Sequence, residues 1–190
     1  MIDIEEQDNE WLLAAQIICV KVDSTWNLAF SLNSEGTGYI VTGCHYKAEH
    51  ITIPSYYNAL PVIGIGKRVF EGHTNLKTVD FPNTLTYIDD YAFADCENLS
   101  SINIPSSVKS IGNRAFYHTT GCTELILHEG LQSIGHNAFE SNQSIEINIP
   151  NTVVVIGPRA FGFNSNVKTI TIGEAVSSIG TSAFRKLPSL

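Results

Sequence analysis

Residues 102–125 read Ile102-Asn103-Ile104-Pro105-Ser106-Ser107-Val108-Lys109-Ser110-Ile111-Gly112-Asn113-Arg114-Ala115-Phe116-Tyr117-His118-Thr119-Thr120-Gly121-Cys122-Thr123-Glu124-Leu125. The frame of this stretch returns in both directions along the chain. A small residue precedes Phe at Val69-Phe70, Ala92-Phe93, Ala115-Phe116, Ala138-Phe139, Ala160-Phe161 and Ala183-Phe184, with Phe-to-Phe spacings of 23, 23, 23, 22 and 23. Five residues before each Phe stands Ile65, Ile88, Ile111, Ile134, Ile156 or Ile179, and Gly follows that Ile in every copy but one, where Asp89 replaces it. A unit of this size cannot bury its own apolar face, but stacked copies can bury it against one another.

Each position of the frame has a physical task. The pairs Ile102/Ile104, Ile147/Ile149 and Ile170/Ile172 lie two apart, which puts both side chains on one face of a strand. Proline after the strand lacks an N–H and has a fixed φ, so it ends the ladder and starts a corner. The Gly after the second Ile is read as a corner residue with φ > 0, for which Asp is a tolerated substitute. Val108 and Ile111 point back into the core from a second short extended segment. Ala-Phe begins a tight helical or 3₁₀ turn, with Phe filling the space between coils. Three residues after Phe come His73, Cys96, Thr119, Asn142, Asn164 and Leu187, a column expected to bond to the backbone of the bend. The 22 Ile against 13 Leu suit pleated surfaces. With strands about 4.8 Å apart, six coils extend over roughly 24 Å. The expected fold is an α/β or mainly β repeat solenoid, short and right-handed, with parallel strands.

The Ile-Gly-x-x-Ala-Phe signature, in six copies held to one register, resembles the BspA-like leucine-rich repeats over about residues 28–190. The resemblance implies a horseshoe of about six coils over residues 51–190 and an N-terminal hairpin cap over residues 28–50. Leu28, Phe30 and Leu32 alternate, Asn33-Ser34-Glu35-Gly36-Thr37-Gly38 turns, and Tyr39 and Val41 alternate back, which is a hairpin by pattern. The first coil carries five extra residues between Ile53 and Ile65, through Tyr56-Tyr57-Asn58, as family members often do. The departures are local: Leu127-His128-Glu129-Gly130 lacks Pro, and one residue is missing between Ile145 and Ile147. Residues 1–27 fall outside the repeat frame, and Asp8 or Asn9 could cap a helix running through about Ile18.

Composition narrows the function. The chain of 190 residues has a net charge of -8, with -6 of it in residues 1–50. Such a chain offers no basic face, so no nucleic acid and no anionic membrane surface is expected as partner. No apolar run reaches the length of a membrane span, so no membrane insertion is expected. The stretch from Trp11 to Val20 follows five acids and no base, the opposite of a signal peptide. The chain therefore stays inside the cell, or an export signal lies elsewhere. Cys19, Cys44, Cys96 and Cys122 lack CxxC spacing and are read as core thiols rather than two disulfides.

The search for chemistry finds a scaffold. His128-Glu129 begins like HExxH, but Gln132 stands where the second His belongs. Gly66-Lys67 is followed by Arg68, and the corner glycines belong to no phosphate loop. His45 and His50 beside Cys44 are read as a polar loop, and His118 and His136 as exposed singles. No catalytic set, no cofactor and no metal site is expected. What remains is a surface, because strand residues between core positions face outward. One column holds Thr78, Ser101, Glu124, Glu146 and Thr169; the next holds Asp80, Asn103, Ile126, Asn148 and Thr171. These ten are the candidate ligand-binding residues, with Ile126 the apolar member at the centre. A second stripe holds Tyr87, Ser110, Ser133, Val155 and Ser178.

Three functions follow. The resemblance implies a cell-surface or secreted adhesion module that binds a protein ligand through its strand surface. An intracellular interaction scaffold with the same fold is the alternative. An enzyme would need a pocket of perturbed ionisable groups, to be sought in the non-repeat N-terminus. At the other end, the Ile170–Ile172 strand has no cap in sequence. Its backbone groups, with Ile179 and Phe184 partly uncovered, are expected to drive self-association through the last coil.

Overall fold

The computed structural model describes residues 18–21, 27–45 and 47–190. The helix expected from Asp8 or Asn9 lies outside them, except that Ile18 itself begins a strand, Ile18–Lys21. Among the described residues there is no helix, so the mainly β alternative holds, and the Ala-Phe segments are hydrogen-bonded turns.

The chain is a β-solenoid of about six coils, each contributing two short strands. The first strands of five coils belong to the expected stripe, Thr78–Asp80, Ser101–Ile104, Glu124–Leu127, Glu146–Asn148 and Thr169–Thr171, and His50–Thr52 adds a strand before them in the first coil. The second strands stack in parallel register, from the last residues of Leu60–Ile65 through Tyr87–Ile88, Ser110–Ile111, Ser133–Ile134 and Val155–Ile156 to Ser178–Ile179. In this ladder each Ile of the frame pairs with the Ile of the next coil, as the sequence register requires.

The N-terminal cap is a hairpin of Asn27–Leu32 and Tyr39–Cys44, and the latter pairs in parallel with Leu60–Ile65. Its turn is set by Asn33, whose Oδ1 accepts the N–H groups of Thr37 (2.8 Å) and Gly38 (3.1 Å). Ile18–Lys21 adds an outer antiparallel strand to it, within the stretch read as an extension. The insertion in the first coil is a second hairpin, Tyr56–Tyr57 against Leu60–Ile65. Asn58 and Ala59 both take φ > 0, at 44° and 65°, the backbone of a type I′ turn. The hairpin delivers Tyr57 onto Phe30 of the cap, stacked at 4.6 Å, with Tyr39 edge-on at 4.7 Å.

The core is a column of phenylalanines. Phe70, Phe93, Phe116, Phe139, Phe161 and Phe184 stack with centroid steps of 4.8, 5.1, 5.4, 5.4 and 5.6 Å and interplanar angles of 15° or less. Beside it runs the column three residues further on, where His73, Cys96, Thr119, Asn142 and Asn164 are buried and bond as expected, while Leu187 at its end is only partly buried and has no polar group to bond the bend. The Cys96 thiol donates to the Phe70 carbonyl at 3.1 Å. Burial pushes its pKa up to about 12, which keeps it protonated as a donor. The Thr119 hydroxyl donates to Phe116 O (3.0 Å), and Asn164 Nδ2 to Phe139 O (3.1 Å).

The corner glycines correct the sequence reading. None of Gly66, Gly112, Gly135, Gly157 and Gly180 has a positive φ. Their requirement is close approach: a Cβ on Gly112 would lie 2.6 Å from the Asp90 backbone nitrogen, and one on Gly135 2.6 Å from the Gly112 carbonyl carbon. The left-handed residues lie elsewhere, two before and two after Phe, as at Arg114 (54°) and His118 (58°).

Candidate functional site

The stripe is built by alternation. In Ser101–Ile104, Ile102 and Ile104 are buried, while Ser101 and Asn103 face out. The next strand aligns Glu124 with Ser101 and Ile126 with Asn103. The strand pair at the far end aligns Glu146 with Thr169 and Asn148 with Thr171. The ten expected residues thus form two columns on one surface.

The ladder of this surface is interrupted. It consists of three separate two-stranded pairs: His50–Thr52 with Thr78–Asp80, Ser101–Ile104 with Glu124–Leu127, and Glu146–Asn148 with Thr169–Thr171. The second interruption coincides with the coil one residue short of the period. Across it a shallow groove opens, lined by Thr123, Glu124, Leu125, Ile126, Ile145, Glu146 and Asn148. Ile126 is half-buried there, and Ile145 is 47% exposed beside it.

Ile145 escaped the sequence reading because it lies outside the strand columns. The signal was present: Lys77, Ser100, Thr123 and Lys168 occupy its position in the other coils, so an isoleucine there is out of pattern.

The two parts of the stripe differ in how their polar groups are used. At the first coils they bond to one another. His50 Nδ1 lies 2.6 Å from Thr78 Oγ1, His50 Nε2 3.2 Å from Asp80 Oδ2, and Thr52 Oγ1 donates to Asp80 Oδ2 at 3.2 Å. His50 therefore opens the stripe rather than sitting in a loop. Further on, His128 Nε2 lies 2.9 Å from Asn103 Oδ1. In the central groove, by contrast, the Glu124 and Glu146 carboxylates are exposed, and no described ion pair engages them. Two carboxylates and two isoleucines lining one groove can hold an apolar anchor and select cations beside it. Among the described residues no group of His, Cys, Asp and Glu has the arrangement of a metal site. On the second stripe, Tyr87 lies across Gly64, and burial, with Asp89 nearby, raises its pKa.

Known proteins share this architecture. The chain superposes on a leucine-rich repeat protein of T. pallidum with a TM-score of 0.73 at 21% identity, covering 86% of this chain and 87% of the other. It matches a leucine-rich repeat protein of Bacteroides ovatus with a TM-score of 0.78 at 28% identity, covering 86% of this chain and 44% of the other. It also matches a leucine rich cell surface protein of Faecalibacterium prausnitzii with a TM-score of 0.73 at 28% identity, covering 88% and 46%. The chain thus spans less than half the length of the last two. No curated protein matches it significantly. The model of the BspA type leucine rich repeat region matches in 6 copies over residues 63–190, two thirds of the chain, and the chain belongs to that family.

Proposed function

We propose that the chain is a non-enzymatic interaction module that binds a protein ligand through the strand stripe. The observation that carries this reading is the groove at the short coil, which Ile126 and Ile145 line together with Glu124 and Glu146. An apolar side chain of the ligand fills the groove, and basic neighbours meet the carboxylates. Adhesion at a cell surface is the setting we favour, supported by the cell-surface description of the Faecalibacterium prausnitzii relative. The intracellular scaffold is the second reading, favoured by the buried free thiols of Cys96 and Cys122. Fractionation of the native protein separates the two.

A pull-down with the intact repeat surface as bait identifies the ligand. Charge reversal by Glu124→Lys with Glu146→Lys is then expected to weaken association by about tenfold or more, mainly in the on-rate and its salt dependence. Unchanged binding to the identified ligand rules this face out.

The outer side of the sixth coil supports a second contact, with another copy of the chain. Ile172 is 45% exposed and Ile179 50% exposed. Among the described strands, Thr169–Thr171 pairs only with Glu146–Asn148. Stacking of a second copy covers this edge. The sedimentation coefficient of the 190-residue chain is expected to rise between micromolar and near-millimolar concentration. A monomer throughout overturns this contact.

A further inference from the structure

The turn edge of the solenoid carries a charge pattern that the composition hides. The chain has four arginines, and all four lie on this edge: Arg68, Arg114 and Arg159 two residues before Phe, and Arg185 directly after it. Lys186 follows Arg185. Three of the five cations sit in left-handed backbone of the same turn column, and each is tied to the next coil. The N–H groups of Arg68, Arg114 and Arg159 donate to Asp90 O (3.1 Å), His136 O (2.8 Å) and Thr181 O (3.1 Å). Aromatic rings hold several of the cationic heads. Arg114 lies 5.5 Å from the Tyr91 ring and 5.6 Å from Tyr117, and donates to the Tyr91 hydroxyl at 2.8 Å. Arg185 and Lys186 lie 5.8 and 4.9 Å from the Phe163 ring.

The edge divides into a neutralised part and an open part. In the first coil one guanidinium nitrogen of Arg68 reaches both oxygens of Glu71, each at 2.7 Å. Glu71 stands directly after Phe70, and the same place in the later coils holds Ala94, Tyr117, Glu140, Gly162 and Arg185. In the third coil, His118 is not a single: it meets Asp95 at 3.0 Å and Glu97 at 4.0 Å. From the third coil onward, no ion pair among the described residues engages Arg114, Arg159, Arg185 or Lys186. Glu140 is the carboxylate among them, but it is turned inward, 8% exposed, with Oε2 unbonded. Arg159 and Arg185 are exposed.

We propose that the turn edge of the third to sixth coils is a docking surface for an extended acidic peptide segment of a partner protein. The first coil shows the chemistry in miniature, one guanidinium nitrogen of this column donating to both oxygens of a carboxylate. The later coils present the same donors around one inward-turned carboxylate, Glu140, set against Arg114, Arg159 and Arg185 together. The rings beside the cations are covered by them, which disfavours stacking of nucleobases and leaves the N–H edges for anions. The three coil steps from Arg114 to Arg185 span about 15 Å, the reach of about five extended residues. The surface is on a different side from the strand stripe, so its test is independent of the reading above.

The probe is a fluorescent Glu-rich peptide of about eight residues, titrated with the full chain at low and physiological salt. The peptide is expected to bind although the chain as a whole is acidic, and to weaken as salt screens the contact. Arg159→Gln with Arg185→Gln is expected to lower the affinity by about tenfold or more. Lys109→Gln with Lys168→Gln removes equal charge from exposed positions off this edge and is expected to leave binding unchanged. Equal losses in the two double variants, or none in the arginine variant, overturn the proposal. So does absence of peptide binding, or binding confined to a sulfated glycan of matched charge. Unchanged thermal midpoints of both double variants establish that the fold is intact.

Discussion

Replacing Phe116 by Ala is expected to cost about 3–5 kcal/mol of stability, the range for removing a fully buried ring. Phe116 is wholly buried, and its ring lies 5.1 Å from Phe93 and 5.4 Å from Phe139, almost parallel to both. Its removal opens a void between three coils at once. In a repeat array, stability is a sum of coil and interface terms, so one void weakens two interfaces. Stacked rings add about 0.5–1.5 kcal/mol beyond their area. Ser110→Ala, on the half-buried second stripe of the same coil, is expected to stay within about 0.5 kcal/mol. Urea unfolding of both variants checks this, and equal midpoints would overturn the repeat register. Phe184→Ala is expected to cost less than Phe116→Ala, because Phe184 stacks on a single ring, Phe161, and is only partly buried.

The fold was legible because its determinants are local and repeated. Ile111 and Ile134 pair in the sheet because both stand five residues before Phe, and six copies of that rule leave no freedom of register. The role of Gly112 was less legible. Its identity pointed to backbone freedom, but the constraint is the backbone of the preceding coil, which lies far away in sequence. The stripe columns followed from alternation alone. The groove did not, because a missing residue shows in sequence as a shorter period and only in space as a broken ladder with Ile145 beside Ile126. The arginine edge was hidden by averaging. A net charge of -8 describes the chain, whereas a partner meets one column of it at a time.

The buried polar column should prove nearly as sensitive as the phenylalanines. Asn142 is wholly buried, and the bonds of its side chain and main-chain N–H together join three coils. Nδ2 donates to Thr119 Oγ1 at 3.1 Å, and Oδ1 accepts the backbone N–H (3.1 Å) and the hydroxyl (2.6 Å) of Ser144. Its own N–H donates to Asn164 Oδ1 at 2.6 Å. Asn142→Leu keeps the approximate volume and removes every side-chain bond. The Ser144 N–H and hydroxyl are then left in a site that is 1% exposed, and each unsatisfied buried group costs about 1–3 kcal/mol. The expected loss is about 2–5 kcal/mol, since two such donors are orphaned together. Ser165→Ala is the control: it removes the exposed Ser165 Oγ bond to Gln143 Oε1 and is expected to change stability by no more than about 0.5 kcal/mol. Calorimetric or urea unfolding reads both. A small loss for Asn142→Leu would mean that water or a shift of the bend satisfies Ser144, and that the column fills space rather than tying the coils together.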